Sequence, residues 1–352
     1  MTQATVFRIQ AGGAEEFLGG KGLRLGELVS MGCSVPKGFT VTAGVLDTVI
    51  AATDLNTVID AALAEVDPQD DASCDAAALK ISDAICGTQL PAEIEADITT
   101  AYEQLCYETR TLTLQVAVRS SAVGEDAKDA SFAGQFETYL GVSGTQAVIA
   151  HIKRVWASLY NARAIQYRAR NGLGLHGQMA VVVLELVDAR AAGVAFSADP
   201  LTGKRDRVVI EGNWGFGESV VQGVVTPDRA TVDKADLRVL DYAVSEKVIV
   251  SVYEPDQRLV VEIPMPALFR SEPVLNDEEV TAIAKAVREV EETAGYPIDV
   301  EWVIPLHRQA GDAPVLVQVR PITTLPEEEK APAAAWNPAA YASKYAFGQN
   351  NG

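Results

Sequence analysis

The chain has 352 residues, 48% hydrophobic and 22% charged, an ordinary globular balance in a length that calls for two or three lobes rather than one core. A net charge of −19 excludes a general nucleic-acid binder, which needs a basic footprint; it leaves room for a nucleotide held by a metal ion and a few placed cations. No apolar run approaches membrane-spanning length, and the opening MTQATVFRIQ lacks the charged-then-apolar order of a signal peptide.

Near the N-terminus, Gly19, Gly20, Lys21 and Gly22 precede a helical pattern with Leu25, Leu28 and Val29 apolar, closed by Gly32 and Pro36. A Gly-rich turn carrying Lys at a helix start can hold phosphate, but a plain flexible turn is the commoner case for GGKG alone. It is not a P-loop, because Gly22 stands where Ser or Thr would bind Mg²⁺. Residues 45–110 read as an Ala- and Asp-rich helical insert without chemical signal. Within it Cys74, Cys86 and Cys106, like Cys33 before it, form no CxxC pair and no metal spacing with His151, His176 or His307. Scattered cysteines of this kind suggest reduced thiols in a cytosol-like compartment.

The strand Val116 to Ser120 places Arg119 on the face opposite Val116 and Val118. It feeds a loop with Gly124, Gly134 and Gly141, either a surface loop or a cover for a triphosphate. Ala150 to Arg170 reads as one helix, ended by Asn171-Gly172. GLGLHG then matches GxGxxG only formally, since it follows a helix and precedes a strand; His176 there is a plain loop histidine. Gln178 to Val187 is a continuous apolar run, hence a strand buried on both faces. Strands follow at Gly193–Ser197, Val208–Glu211 and Val248–Tyr253, with the Gly-rich stretch GNWGFGESVVQGVVTPD (Gly212 to Asp228) before the last. Asn276 with Glu279 is a capping-box pattern, opening a helix that Gly295 ends.

The segment from Pro297 to Thr323 reads as two strands joined by a loop. Period-two alternation puts Asp299 and Glu301 on one face of the first strand, and Leu316, Gln318 and Arg320 on one face of the second. An antiparallel hairpin then carries two carboxylates, an amide and a guanidinium together. Carboxylate with amide oxygen suits Mg²⁺, and Arg suits the phosphate that the ion would bridge. A solvated face with a surface ion pair fits the same pattern and is the commoner case.

Five motifs in order change that balance: LGGKG, VAVRSSAVGEDAKDASFAGQFETYLGV, GVAFSADPLTG, EGNWGFGESVVQG, and DVEW followed by VQVRPIT. Together, from about residue 15 to 325, they resemble the nucleotide-binding domain of the phosphoenolpyruvate synthase and pyruvate phosphate dikinase family, which rifampicin phosphotransferases also carry. The resemblance implies an α+β, ATP-grasp fold: two lobes with mixed or antiparallel sheets and the nucleotide in the cleft between them. It implies a first lobe at 1–180, a second at 181–325 and a Pro/Ala-rich tail or docking arm at 326–352. Lys21 and Arg119 would contact the ATP phosphates, with Thr138 near the nucleotide. Glu185, Leu186 and Val187 would form the adenine hinge, mostly through backbone groups. Glu301 and Gln318 would hold Mg²⁺, with Asp299 and Arg320 beside them at the phosphates and ribose.

Members of the family carry the phosphoryl group onward on a histidine in a further domain. No such motif stands in these 352 residues, so the expectation is an ATP-activating subunit that phosphorylates a histidine on a separate partner, which also holds the acceptor site. Phenylphosphate synthase is a split enzyme of this family with such a subunit, cleaving ATP to AMP and phosphate and passing the β-phosphoryl group to phenol. The competing expectations are a self-contained ATP-dependent ligase or small-molecule kinase, and a nucleotide-binding regulatory subunit. No nucleic-acid or membrane partner is expected.

Overall fold

The structure is a computed structural model that describes residues 4–10, 13–123, 137–171, 177–257 and 259–326. Residues 124–136, where the sequence reading expects a loop, His176 and the residues from 327 onward lie outside them.

The first lobe is a sheet covered on one side by helices. Its strands are β1 (Val6–Arg8), β2 (Gly38–Val41), β3 (Gln115–Ala122), β4 (Thr138–Ser143) and β5 (Met179–Glu185), in spatial order β1-β2-β5-β3-β4 with every pairing antiparallel. The covering helices are α2 (Gly44–Ala52), α3 (Leu55–Ala64), α4 (Asp71–Gly87), α5 (Ala92–Glu108), α6 (Thr145–Ser158) and α7 (Ala162–Arg170). Their apolar stripes, such as Ile94, Ile98, Tyr102 and Leu105 of α5, pack with Val116, Val118, Val181 and Val183 of the sheet. The single helix expected over 150–170 is two. Leu159, Tyr160 and Asn161 break it, and the Asn161 side chain caps α7 by accepting from the Ala164 N–H at 2.8 Å. Leu159 and Tyr160 are buried at the break, so burial of both side chains favours the corner over a continuous helix.

The second lobe is a sheet of β6 (Ala189–Phe196), β7 (Arg207–Trp214), β8 (Asp228–Asp233), β9 (Val239–Ala243), β12 (Ile298–Pro305) and β13 (Val315–Pro321). Its order is β13-β12-β6-β7-β8-β9, again antiparallel throughout. Helix α9 (Asp277–Ala294) covers one face with Val280, Ile283, Val287 and Val290. It opens on the expected capping box of Asn276 with Glu279 and ends at Gly295 in the left-handed region. A short helix α8 (Glu218–Val221) lies on the other face, over Val194 and Phe196. The hairpin β10 (Ile249–Glu254) and β11 (Leu259–Pro264) reaches from this lobe to β4, where the Tyr253 ring closes on Gly141.

β5 joins the lobes. Val181 and Val183 face the first core, whereas Val182 and Leu184 face the second, which is why the run reads as buried on both sides. The chain passes from the first sheet to the second after β5, at residues 186–188. Helix α1 (Glu15–Ser30) wedges into the same junction through Leu25 and Leu28.

Inside α1 the helix breaks at Gly19 (φ 66°, ψ 176°). A Cβ there would lie 2.0 Å from the Ser121 carbonyl oxygen, so only glycine lets the turn approach β3. The Ser121 hydroxyl donates to the Leu18 carbonyl at 2.7 Å and accepts from the Gly22 N–H at 3.1 Å. Lys21 is thereby pinned next to the strand that carries Arg119. Gly19→Ala is expected to lower stability by roughly 1–3 kcal/mol in urea denaturation, from the disallowed φ and the clash together. A wild-type midpoint with an unchanged slope would show that the turn is not built on this contact.

Candidate active site

The hairpin β12–β13 pairs in the register that the alternation implies, Asp299 opposite Arg320 and Glu301 opposite Gln318. One step further the register shifts, and Trp302 faces Leu316. This β-bulge leaves Val317 as the extra residue. Leu316 turns with Trp302 into the core, while Gln318 and Arg320 stay on the cleft face with Glu301. The expectation that Leu316, Gln318 and Arg320 share a face therefore fails at Leu316, because the bulge resets the alternation. The Val317 carbonyl, displaced by the bulge, accepts from Arg119 Nη1 at 3.0 Å.

Arg119 comes from the opposite lobe. Its Nη2 donates to Glu301 Oε2 and to Gln318 Oε1, each at 2.8 Å. The Arg119 and Glu301 side chains are each only 13% exposed, which makes this a largely desolvated pair rather than a surface one. Burial alone would push the Glu301 carboxyl up. The Arg119 guanidinium, then Arg320 and Lys21, more than offset it and hold the group below its ordinary value. Arg320 Nε donates to Asp299 Oδ1 at 3.1 Å across the same hairpin. Lys21, Arg119 and Arg320 thus converge electrostatically on one carboxylate although the chain separates them by up to three hundred residues.

A cavity of about 410 Å³ opens beside this cluster, between the lobes. Arg119, Thr138, Glu185, Leu186, Val187 and Glu301 line it, so six of the expected site residues meet in one place. Lys21, Asp299, Gln318 and Arg320 are not in its wall; they adjoin it through Arg119 and Glu301. Thr138 is held there as the register partner of Arg119. Glu185 and Leu186 line it where β5 ends, and their N–H groups donate to the Lys37 and Gln115 carbonyls at 2.8 and 2.9 Å.

Glu218 and Phe216 also line the cavity, and the motif reading assigned them no role. Burial raises the Glu218 carboxyl; Arg119 opposes this, and Glu262 and Glu301 reinforce it. The available signal was an acid directly after GFG in an otherwise apolar stretch.

Two oxygens aimed at one cationic nitrogen are a donor set that fits a hard divalent cation, which takes few protein ligands and completes its shell with phosphate and water. Among the described residues no group of three or more His, Cys, Asp or Glu could hold a metal unaided. No helix among them is long and apolar enough to cross a membrane.

The chain matches the family model described as "Pyruvate phosphate dikinase, AMP/ATP-binding domain" over residues 15–338. It is 43% identical over 311 residues to "Probable phosphoenolpyruvate synthase" of Methanothermobacter thermautotrophicus, covering 88% of this chain and 44% of that one. It is 35% identical over 357 residues to "Phosphoenolpyruvate synthase" of Aeropyrum pernix, covering 90% and 43%. The crystal structure of PH1788 from Pyrococcus horikoshii overlaps 71% of this chain and 89% of its own, with 12% identity and a TM-score of 0.35. The chain thus spans less than half the length of the two synthases.

Proposed function

The chain belongs to the pyruvate phosphate dikinase AMP/ATP-binding domain family, and on that premise we propose that it activates ATP for a dikinase-type phosphotransferase, delivering a phosphoryl group to a histidine on a separate partner subunit. The observation that carries this is Arg119 crossing the cleft to Glu301 and Gln318 with Lys21 and Arg320 gathered at the same carboxylate. Phosphoryl transfer asks a protein mainly for position and for charge placed against the phosphate oxygens, and this cluster provides both. Glu301 and Gln318 would hold Mg²⁺, which supplies charge neutralisation at the polyphosphate. Arg119, Lys21 and Arg320 orient and neutralise the remaining phosphate oxygens. Glu185, Leu186 and Val187, which line the cavity where β5 ends, would receive the base.

Neither His151 nor His307 lines this cavity. His151 hydrogen-bonds the Ala147 carbonyl of its own helix at 2.7 Å and packs against Tyr139, so its ring is committed to the helical layer. An acceptor histidine from a partner, as in phenylphosphate synthase with phenol as final acceptor, fits this layout.

The test is incubation of the chain with Mg·ATP, alone and with proteins co-purified from the source cell, followed by nucleotide chromatography and acid-labile labelling. Expected are AMP and phosphate, with an acid-labile label on a partner histidine only when the partner is present. ADP formed by the chain alone, with a phosphorylated small molecule, would replace this reading with that of a self-contained kinase.

A further inference from the structure

Arg119 stands on the first lobe's sheet, yet its bonds are made to the second lobe. Nη2 serves Glu301 and Gln318, Nη1 serves the Val317 carbonyl, and Nε is buried with no hydrogen-bond partner among the described residues. The two side-chain oxygens are those that suit Mg²⁺ under the function proposed above, on which this inference rests. An ion bridging Glu301 Oε2 and Gln318 Oε1 would compete with Arg119 Nη2 for one position. A magnesium ion sits about 2.1 Å from each of its oxygens, and Nη2 already occupies the hydrogen-bonding position common to both.

We propose that Arg119 is an interlobe latch that holds the metal's oxygens itself, so that metal ion and nucleotide enter together and the metal ion alone is kept out. A metal ion arriving by itself would take both acceptors of Nη2 from a nearly buried guanidinium, leaving it the Val317 carbonyl and no bonded counter-charge. A metal–nucleotide complex carries the remedy with it. Its phosphate oxygens accept from the displaced guanidinium, bidentately if Nε joins, while the cation takes over Glu301 and Gln318. The exchange trades one set of charge-assisted bonds for another, and it releases the bond between lobes at the moment the nucleotide begins to bridge them.

The latch is tested with Mn²⁺ as the probe, by electron paramagnetic resonance titration of the full chain with and without a non-hydrolysable ATP analogue. For the wild type, the analogue is expected to tighten Mn²⁺ binding by at least about tenfold. Arg119→Met is expected to bind Mn²⁺ without nucleotide about tenfold more tightly than the wild type, and adding Glu301→Gln should erase that gain. Arg119→Lys keeps a cation but cannot span both oxygens and the Val317 carbonyl. It should fall between the two, and it decides the question if the methionine variant does not fold. Equal nucleotide-free Mn²⁺ affinity in the wild type and the folded Arg119 variants overturns the latch. So does a wild type that binds Mn²⁺ equally well with and without the analogue. A wild type that takes up neither the analogue nor Mn²⁺ with it overturns the ATP reading instead.

Discussion

Glu301→Gln is expected to keep the fold, at a cost in melting temperature because Arg119 loses its largely buried counter-charge, and to reduce ATP-dependent phosphoryl transfer by about three orders of magnitude, the scale of losing one preorganised electrostatic group at a transferring phosphoryl. Glu301 faces the cleft from the middle of a fully paired strand, and the amide replaces the carboxylate atom for atom. Arg119 keeps the Gln318 oxygen and the Val317 carbonyl as acceptors, so the hairpin and the lobe contact persist. What disappears is a negative charge on which Arg119, Arg320 and Lys21 all act. Initial rates of AMP formation, read beside a circular-dichroism melt, separate the two effects. A folded variant with undiminished turnover would remove Glu301 from the chemistry.

The second large effect concerns stability, and it arises far from the cleft. Lys247 is wholly buried, and its Nζ donates to Asp228 Oδ1 at 2.5 Å and to the Ser245 carbonyl at 2.8 Å. Asp228 also accepts from the Ser245 and Val274 N–H groups, each at 2.9 Å, and from the Tyr242 hydroxyl at 3.3 Å. One carboxylate thereby ties β8, β9, the approach to β10 and the segment entering α9. Asp228→Ala removes the counter-charge and leaves the ammonium with a single carbonyl in a dry site. The expected loss is about 3–5 kcal/mol. Lys247→Met should cost less, because Asp228 retains two backbone N–H donors and a hydroxyl. The double variant should recover part of the loss, since a buried pair replaced on both sides strands no charge. Guanidinium denaturation of the three variants checks this order. An Asp228→Ala protein within about 1 kcal/mol of the wild type would mean that water or rearrangement reaches the site and that the knot is not a stabilising centre.

These two sites differ in how far the sequence reveals them. Glu301 is visible because the hairpin is local: alternation over a few residues assigns Asp299, Glu301, Gln318 and Arg320 to one surface. The motif order then connects that surface with Lys21 and Arg119. Asp228 and Lys247 are invisible by the same method. They stand 19 positions apart in a stretch of loops and short strands, and nothing in spacing says that two charged residues will be buried against one another. Glu218 belongs to the same class, since its significance lies in facing Arg119 and Glu301 from another element.

By itself the sequence determined the features that depend on near neighbours in the chain. Residues two apart share a strand face, so the charged face of β12 and the two-sided burial of β5 were legible. Residues three and four apart share a helix face or a cap, so the stripe of α9, its Asn276–Glu279 start and its Gly295 end were legible too. Tertiary structure alone decided which oxygens Arg119 reaches and where the β13 alternation is reset. It also decided that β5 closes the first sheet before the chain crosses over, and that the 150–170 helix turns a corner at Asn161. Each of these is set by groups that meet only when distant segments pack, where burial and charge compensation outweigh local propensity.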